Sequence, residues 1–267
     1  MISVDGVIAR FRRDLALAAL LRAALMVGAA VCLLGGPMLG LSGDGLVPLI
    51  LIGAVWIVLS YRSMVGARLA SDSPSLIAAG NFEQAEKQID SVLRSFSLFR
   101  TAKLLGLHHL ALLRHAQRRW RESALLCQAL LGQRGIADLS RSTLLLMADS
   151  TLRLGDLRGT LWALDALYRQ RLGLAEALAL QLLQLDYGSR IGAWEQMLSC
   201  VGVKVQLSEL MPSINAARSQ AFLALAAYKA GRMELARWLR RRVELLADAP
   251  EIAADRPILA EMLAQAW

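Results

Sequence analysis

The hydrophobic pattern divides the chain into a short apolar N-terminal part and a longer amphipathic remainder. Two uncharged apolar runs cover residues 23–41 and 46–61, and a polar, glycine-rich turn separates them at 42–45. A membrane-spanning helix needs about 20 apolar residues, so the first run is long enough and the second is slightly short. We therefore predict a hairpin of two transmembrane helices over residues 15–66, preceded by a separate N-terminal segment, residues 1–14.

Basic residues flank this hairpin on one side only. They are Arg10, Arg12, Arg13 and Arg22 before the turn, and Arg62 and Arg68 after it. The turn itself carries only Asp44, so the positive-inside rule predicts that both termini are cytoplasmic. We expect an integral protein with two spans in a bacterial inner membrane. A cleaved signal peptide is the alternative, but the first run is long for one and a second run follows at once.

Small residues recur every fourth position along the first span. They are Ala24, Gly28, Cys32, Gly36 and Gly40. A stripe of this kind lets two helix backbones approach closely in lipid. We expect it to pack against the second helix of the hairpin. Dimerisation, or docking on another membrane protein, is the alternative use of the stripe.

The chain from residue 72 onward has a helical pattern with an internal repeat. A turn position recurs at intervals of 37 to 39 residues, at Gly80, Arg118, Gly155, Gly192 and Gly231. A large apolar residue follows two positions later, namely Phe82, Trp120, Leu157, Trp194 and Met233. Five positions after the turn stand Ala85, Ser123, Thr160, Met197 and Ala236. We predict helix–turn–helix units, because glycine permits the turn and a small residue lets the two helices approach closely.

Three of these motifs resemble the tetratricopeptide repeat family. They read GNFEQA at 80–85, GAWEQM at 192–197 and GRMELA at 231–236. The resemblance implies an all-α fold in which helix pairs over residues 72–250 stack into an α-solenoid, closed by a capping helix within 251–267. HemY-type membrane proteins share this plan of two N-terminal spans followed by such repeats. The chain departs from the family in its longer period, in Arg118 at a turn and in Met197 at a small position.

The resemblance also implies a partner-binding face, formed by the first helix of each pair. Counted from the turns, this face carries His108, Leu112, His115, Asp149, Arg153, Asp186, Arg190, Arg218, Tyr228 and Lys229. Such faces bind a peptide or a helix. The spacing of Asp149 to Arg153 and of Asp186 to Arg190 is also that of an exposed i,i+4 ion pair, and we favour this interpretation over a recognition role.

The net charge is +8, and arginine clusters lie at 118–121 and 237–242. On a helix, Arg114, Arg118 and Arg121 would share one face. We expect solvated helix surfaces here, with anionic lipid as the alternative contact. No nucleic-acid-binding motif accompanies the clusters, so we expect no nucleic-acid partner.

The sequence offers no chemistry of a known enzyme class. It lacks phosphate-binding, dinucleotide-binding, zinc-protease and nucleophile-elbow motifs. The three cysteines are far apart, and His108, His109 and His115 lack the spacing of a zinc site. We predict a protein that is not an enzyme and holds no metal or cofactor.

Two functions follow from this organisation. The first is a membrane-anchored scaffold or adaptor whose cytoplasmic repeats hold other proteins at the bilayer. The second is an accessory or assembly subunit of a membrane complex, docked through the hairpin. Both imply protein partners and contact with the lipid bilayer, and the small-residue stripe would also permit a homo-oligomer.

Overall fold

The computed structural model describes residues 3–38, 46–97, 99–133, 137–254 and 256–264. These ranges contain helices and no strand, which confirms the all-α prediction. The helices are α1 (Val4–Met38), α2 (Leu46–Ser71), α3 (Ser73–Ala78), α4 (Phe82–Arg94), α5 (Arg100–Ala116), α6 (Trp120–Leu131), α7 (Ala137–Leu154), α8 (Leu157–Tyr168), α9 (Leu174–Ile191), α10 (Trp194–Leu198), α11 (Val201–Ser208), α12 (Ser213–Lys229), α13 (Met233–Leu246), α14 (Ala249–Ala253) and α15 (Pro257–Ala264).

Helices α1 and α2 are each long and apolar enough to cross a membrane. Only 6% of the most apolar window of each helix is buried. Large side chains such as Met26, Leu34 and Ile57 are exposed along them. The core helix of a soluble protein would bury such side chains. The predicted turn at 42–45 lies outside the described residues.

The chain divides into two compact units, Met1–Ser150 and Thr151–Trp267, here called the N-terminal and C-terminal units. The N-terminal unit contains α1 to α6 and most of α7. The C-terminal unit has its core around α12, which is buried almost throughout. Leu259 and Met262 of α15 are buried in that core.

The first turns of α1 belong to the core of the N-terminal unit. Val4, Val7 and Phe11 are buried in a cluster with residues of α4 and α5, including Ile89 and Leu104. Their spacing is that of one helix face. The predicted boundary between a segment 1–14 and the hairpin therefore has no counterpart in the helix, which runs unbroken from Val4.

A buried ion pair reinforces the docking of α1. Lys103 of α5 is buried, and its Nζ lies 3.0 Å from Asp14 Oδ2 of α1. The same ammonium donates to the carbonyl of Leu93 at 2.5 Å. A buried lysine requires such partners, so α1 supplies the charge that permits Lys103 at this position.

Helix α2 also continues from its apolar part into the helical domain. It ends at Ser71, and it packs against α4 and α5. Ser63, in the later part of α2, is buried. Both apolar helices thus run without a break from their exposed apolar stretch to turns that pack in the core of the N-terminal unit.

The five predicted turn positions share one backbone conformation. Gly80, Arg118, Gly155, Gly192 and Gly231 all have positive φ, between 60° and 76°. At every turn the next residue donates its N–H to the carbonyl five positions earlier, as Asn81 does to Leu76 and Arg119 to Arg114. This is the Schellman arrangement that ends a helix, so a helix ends at each of the five predicted turn positions.

The residue five positions after each turn is buried in all five helix–turn–helix repeats. Where Met197 replaces the small residue, the facing helix supplies the space instead. A Cβ atom at Gly188 would lie 2.9 Å from Met197 Cγ. The fourth unit therefore keeps its close helix contact by exchanging the large and the small residue between the two helices.

The second helix of the fourth unit is interrupted, so the predicted continuous helix after Gly192 is wrong there. α10 ends at Leu198, and Cys200 adopts positive φ (52°) before α11 begins. Lys204 spans the interruption and donates to the carbonyls of Gln196 (3.2 Å) and Met197 (2.8 Å). The lysine thereby satisfies carbonyls that an unbroken helix would bond internally.

Candidate interaction surfaces

The predicted partner-binding residues of the N-terminal unit face other helices of that unit. His108 Nδ1 lies 3.2 Å from Thr143 Oγ1 of α7. His115 Nε2 lies 3.0 Å from Asp149 Oδ2. These contacts tie α5 to α7, and they use the polar atoms that the sequence assigned to a partner. A binding role for these residues stays a prediction.

Contacts link a serine, a histidine and an aspartate in the order of a nucleophilic triad, namely Ser150, His115 and Asp149. Ser150 Oγ lies 3.0 Å from His115 Nδ1. It also donates to Ser123 Oγ at 3.1 Å, and Ser123 donates to the carbonyl of Ala111 at 3.0 Å. A nucleophile must reach its substrate, whereas Ser150 is fully buried. The arrangement is a hydrogen-bonded chain that links α5, α6 and α7.

Arg114 is buried, so the predicted basic face of Arg114, Arg118 and Arg121 is wrong. Arg114 Nη2 lies 2.9 Å from Glu86 Oε1, and Arg114 Nη1 donates to a side-chain oxygen of Gln117 at 2.7 Å. Its Nε lies 3.3 Å from Glu122 Oε2 without the alignment of a hydrogen bond, so that contact is electrostatic. The arginine joins α4, α5 and α6, because each contributes a group to it.

Asp186 is 1% exposed, so its interpretation as part of an exposed surface pair is wrong. The i,i+4 contact itself is present, with Arg190 Nε 3.0 Å from Asp186 Oδ1. The other carboxylate oxygen accepts from Nε of Arg256 at 2.9 Å. Arg256 is itself buried and stands just before α15, so this carboxylate holds the C-terminal helix to α9.

The remaining residues predicted for the partner-binding face are half-buried or exposed. Arg153 is half-buried near the end of α7. Arg218 donates to the carbonyls of Glu251 (2.8 Å) and Ile252 (3.3 Å), which holds α14 to α12. Tyr228 is half-buried, and the exposed Lys229 lies over its ring with Nζ 5.9 Å from the centroid. Their binding role also stays a prediction.

The sequence did not predict a cleft that lies in the C-terminal unit. Its volume is about 340 Å³, and it is lined by α8, α9, α10 and the start of α11. Leu161, Tyr168 and Ile191 are exposed at it, and Gly188 and Met197 lie in its wall. The exchange of a small residue for Met197 was the one sequence signal near this site. Its interrupted helix could not be predicted, because Cys200 is not a usual left-handed residue.

Lys204 is the charged residue of the cleft, and its ammonium group is already engaged. Besides the two carbonyls, it donates to Ser199 Oγ at 3.3 Å. Burial lowers the pKa of Lys204. The other lining groups are aromatic, aliphatic, amide and hydroxyl groups. The cleft is therefore suited to an uncharged apolar segment more than to an ion.

The small-residue stripe lies partly between α1 and α2. A Cβ atom at Gly28 would lie 3.4 Å from Ile52 Cδ1, so Gly28 faces the second helix. Cys32 is half-buried, while Ala24 is exposed. Gly36 is within α1, and Gly40 lies outside the described residues. Packing within the hairpin therefore occupies only part of the stripe.

The described residues contain no group of three His, Cys, Asp or Glu side chains that could hold a metal ion. Cys127 is fully buried, and burial raises the pKa of its thiol to about 12. Such a thiol is neutral and unreactive at ordinary pH.

Acid is expected to destabilise the native chain through His108. Desolvation by burial, aided by His109, lowers the pKa of His108 from 6.5 to about 4. Between these values the unfolded state binds more protons, so stability is complete above the unfolded pKa and falls as the pH drops. We expect a loss of about 2 kcal/mol at pH 5 relative to pH 7.5 from this residue.

The measurement compares native protein with His108→Gln, which cannot titrate but can still hydrogen-bond to Thr143. Chemical unfolding in detergent at the two pH values gives the free energy of unfolding of each protein. Carboxylate contributions cancel in the difference between the two proteins. An equal acid sensitivity of the two proteins would show that His108 does not carry the effect.

No protein family model, curated protein or solved structure matches this chain.

Proposed function

We propose that this chain is a membrane-anchored scaffold whose helical repeats hold other proteins beside the bilayer. The observation that carries the proposal is the exposed apolar surface of α1 and α2, combined with the unbroken continuation of both helices into the core of the N-terminal unit. Insertion into a bilayer covers such a surface with lipid, so that no large apolar area stays exposed to water. The anchor and the first repeats then form one folded body, not a domain on a flexible tether.

Five turns with one geometry support the repeat part of the proposal. Units of this kind cannot bury their apolar faces alone, so they stack on one another. In a tetratricopeptide-like α-solenoid the stacked units offer an extended surface to a peptide or helix. The cleft lined by Tyr168 and Ile191 is the most suitable place for such a segment, since both side chains are exposed.

We place both termini in the cytoplasm of a bacterium, with the hairpin in the inner membrane. The arginines stand at one end of the hairpin, as the positive-inside rule requires. Arg22 Nε donates to the carbonyl of Ala18 at 3.2 Å, so this side chain bends toward the N-terminal end of α1. That is the direction of the nearer headgroup layer, because Arg22 stands beside the N-terminal end of the apolar run.

An accessory or assembly subunit of a membrane complex is the second candidate. The exposure of Ala24 favours it, because part of the small-residue stripe is left uncovered by α2. In this case a helix of another membrane protein, or of a second copy, would occupy the uncovered part.

Topology is tested by cysteine labelling in a chain with Cys32→Ala and Cys127→Ala, which keeps the exposed Cys200. We add Ser42→Cys in the turn and apply a membrane-impermeant maleimide. Residue 42 should react in intact spheroplasts, and Cys200 only after lysis. Reaction of both residues before lysis, or release of the chain from membranes by carbonate, would contradict the proposed anchoring and topology.

The two candidate functions are separated by crosslinking and partner capture. Tyr168→Ala with Ile191→Ala should remove soluble partners if the cleft binds them, and Ala24→Leu should remove membrane partners if the stripe does. Leu245→Ala is the matched control, because Leu245 is 86% exposed and lies outside the cleft. Loss of membrane partners alone would favour the subunit over the scaffold.

A further inference from the structure

We infer that the arginines at the foot of the two apolar helices form a binding surface for anionic phospholipid headgroups. This arginine girdle consists of Arg10, Arg12, Arg13 and Arg22 on α1, and Arg62 and Arg68 on α2. The inference rests on the proposed membrane insertion and adds to it the class of lipid that the protein recognises.

Gly28 of α1 faces Ile52 of α2, because a Cβ atom at Gly28 would lie 3.4 Å from Ile52 Cδ1. In a straight antiparallel pair aligned at this contact, each residue before Gly28 would be level with the residue equally far beyond Ile52. Arg12 would then be level with Arg68, and Ala18 with Arg62. At 1.5 Å per residue these two levels are about 9 Å apart, which is close to the thickness of one headgroup layer, about 5–8 Å.

Arg22 stands one turn deeper in the hairpin than Arg62, but its charge is not deeper. Its Nε donates to the carbonyl of Ala18 at 3.2 Å. In the same alignment the guanidinium group of Arg22 would lie near the level of Arg62. Two cations at one depth, beside exposed apolar side chains such as Val58, would match the boundary between acyl chains and phosphates.

The carboxylate nearest to the girdle is bonded to a lysine outside it. Asp14 is bonded to the buried Lys103 at 3.0 Å. Arg13 Nε lies 3.9 Å from the other oxygen of Asp14, which is beyond hydrogen-bond distance. The exposed Asp5 and Asp72 lie at the far ends of the girdle along α1 and after α2. Six guanidinium groups therefore face few opposing charges.

The orientation of α1 exposes these arginines. Its other face, with Val7 and Phe11, is buried in the N-terminal unit, so Arg10, Arg12 and Arg13 are left in solvent. Guanidinium groups bind phosphate oxygens in pairs, and each arginine near an anionic leaflet contributes about fivefold to binding. A nucleic acid would also offer phosphates, but it would not cover the apolar side chains above the girdle.

The test uses the full chain in nanodiscs of phosphatidylcholine mixed with phosphatidylglycerol. Native mass spectrometry then measures which lipids remain bound. We expect phosphatidylglycerol to be retained about tenfold over its share of the mixture. Arg12→Gln, Arg13→Gln and Arg62→Gln together should bring retention close to that share. The matched control removes the same charge at Arg121, Arg237 and Arg241, which are exposed elsewhere, and should retain the preference.

Four outcomes would overturn the inference. Equal retention of both lipids by the native chain would refute it and leave the anchoring intact. An equal loss in the control variant would assign the preference to net charge and not to the girdle. Tight binding of an RNA oligonucleotide that the girdle variant loses, without a lipid preference, would assign the arginines to nucleic acid. Failure of the chain to enter any nanodisc would instead refute the proposed membrane anchoring, and the inference with it. Helicity by circular dichroism confirms that each variant is folded.

Discussion

Asp186→Ala is expected to lower the free energy of unfolding by about 4 kcal/mol. The carboxylate of Asp186 is buried, and it is bonded to both Arg190 and Arg256. Its removal leaves the guanidinium of Arg256 buried, at 4% exposure, without an opposing charge. An unpaired buried charge costs far more than the pair contributes. Chemical unfolding of the full chain in detergent, followed by circular dichroism, measures the change.

Two further variants separate this explanation from a simple loss of packing. Arg190→Ala should cost less than about 1 kcal/mol, because the Arg190 side chain is 28% exposed and Asp186 keeps Arg256. Asp186→Leu combined with Arg256→Met should recover most of the loss, because an apolar pair removes the buried charge. If the double variant is as unstable as Asp186→Ala, the unpaired charge is not the cause.

Arg114→Ala is expected to cost about 3 kcal/mol in the N-terminal unit. Removal of this fully buried side chain leaves a cavity between α4, α5 and α6, and Glu86 and Glu122 lose the cation that they share. The carboxylates are about a quarter exposed, with 25% and 26% of their side chains accessible, so water partly compensates them. We therefore expect a smaller loss than for Asp186→Ala.

Arg121→Ala is the matched control for Arg114→Ala. Arg121 stands seven positions later, in α6, and is exposed, so its replacement should change the free energy of unfolding by less than about 0.5 kcal/mol. Both variants lose one positive charge, so their difference isolates burial. Equal effects of the two substitutions would show that Arg114 does not organise the three helices.

The regular parts of the fold were predictable because they depend on local chemistry. Glycine at four of the five turn positions predicts a residue in the left-handed conformation, and the repeat period identified Arg118 as the fifth. At Arg118 the repeat period was the only signal. A non-glycine residue in the left-handed conformation loses about 1–2 kcal/mol of stability, so arginine itself does not predict this conformation. The apolar runs likewise identified α1 and α2, because length and hydropathy alone decide whether a helix can span a bilayer.

The candidate binding face was less predictable, because side-chain type does not reveal what a side chain faces. Asp186 and Arg114 have the pattern of solvated charges in the sequence, yet both are buried, and each has a partner remote in the chain, Arg256 for Asp186 and Glu86 for Arg114. Arg256 lies 70 positions from Asp186. Pairings over such distances follow from helix packing, and no short-range pattern encodes them.

The sequence by itself determined the all-helical class, the two apolar helices, the basic flank and the repeated turns. Each of these follows from local preferences of neighbouring residues. Only the tertiary structure decided that the first turns of α1 complete the N-terminal unit through Phe11 and the pair of Asp14 with Lys103. It also decided that the helix interruption at Cys200 accompanies a cleft. These features depend on contacts between distant segments, and their free energy exists only once the helices are packed.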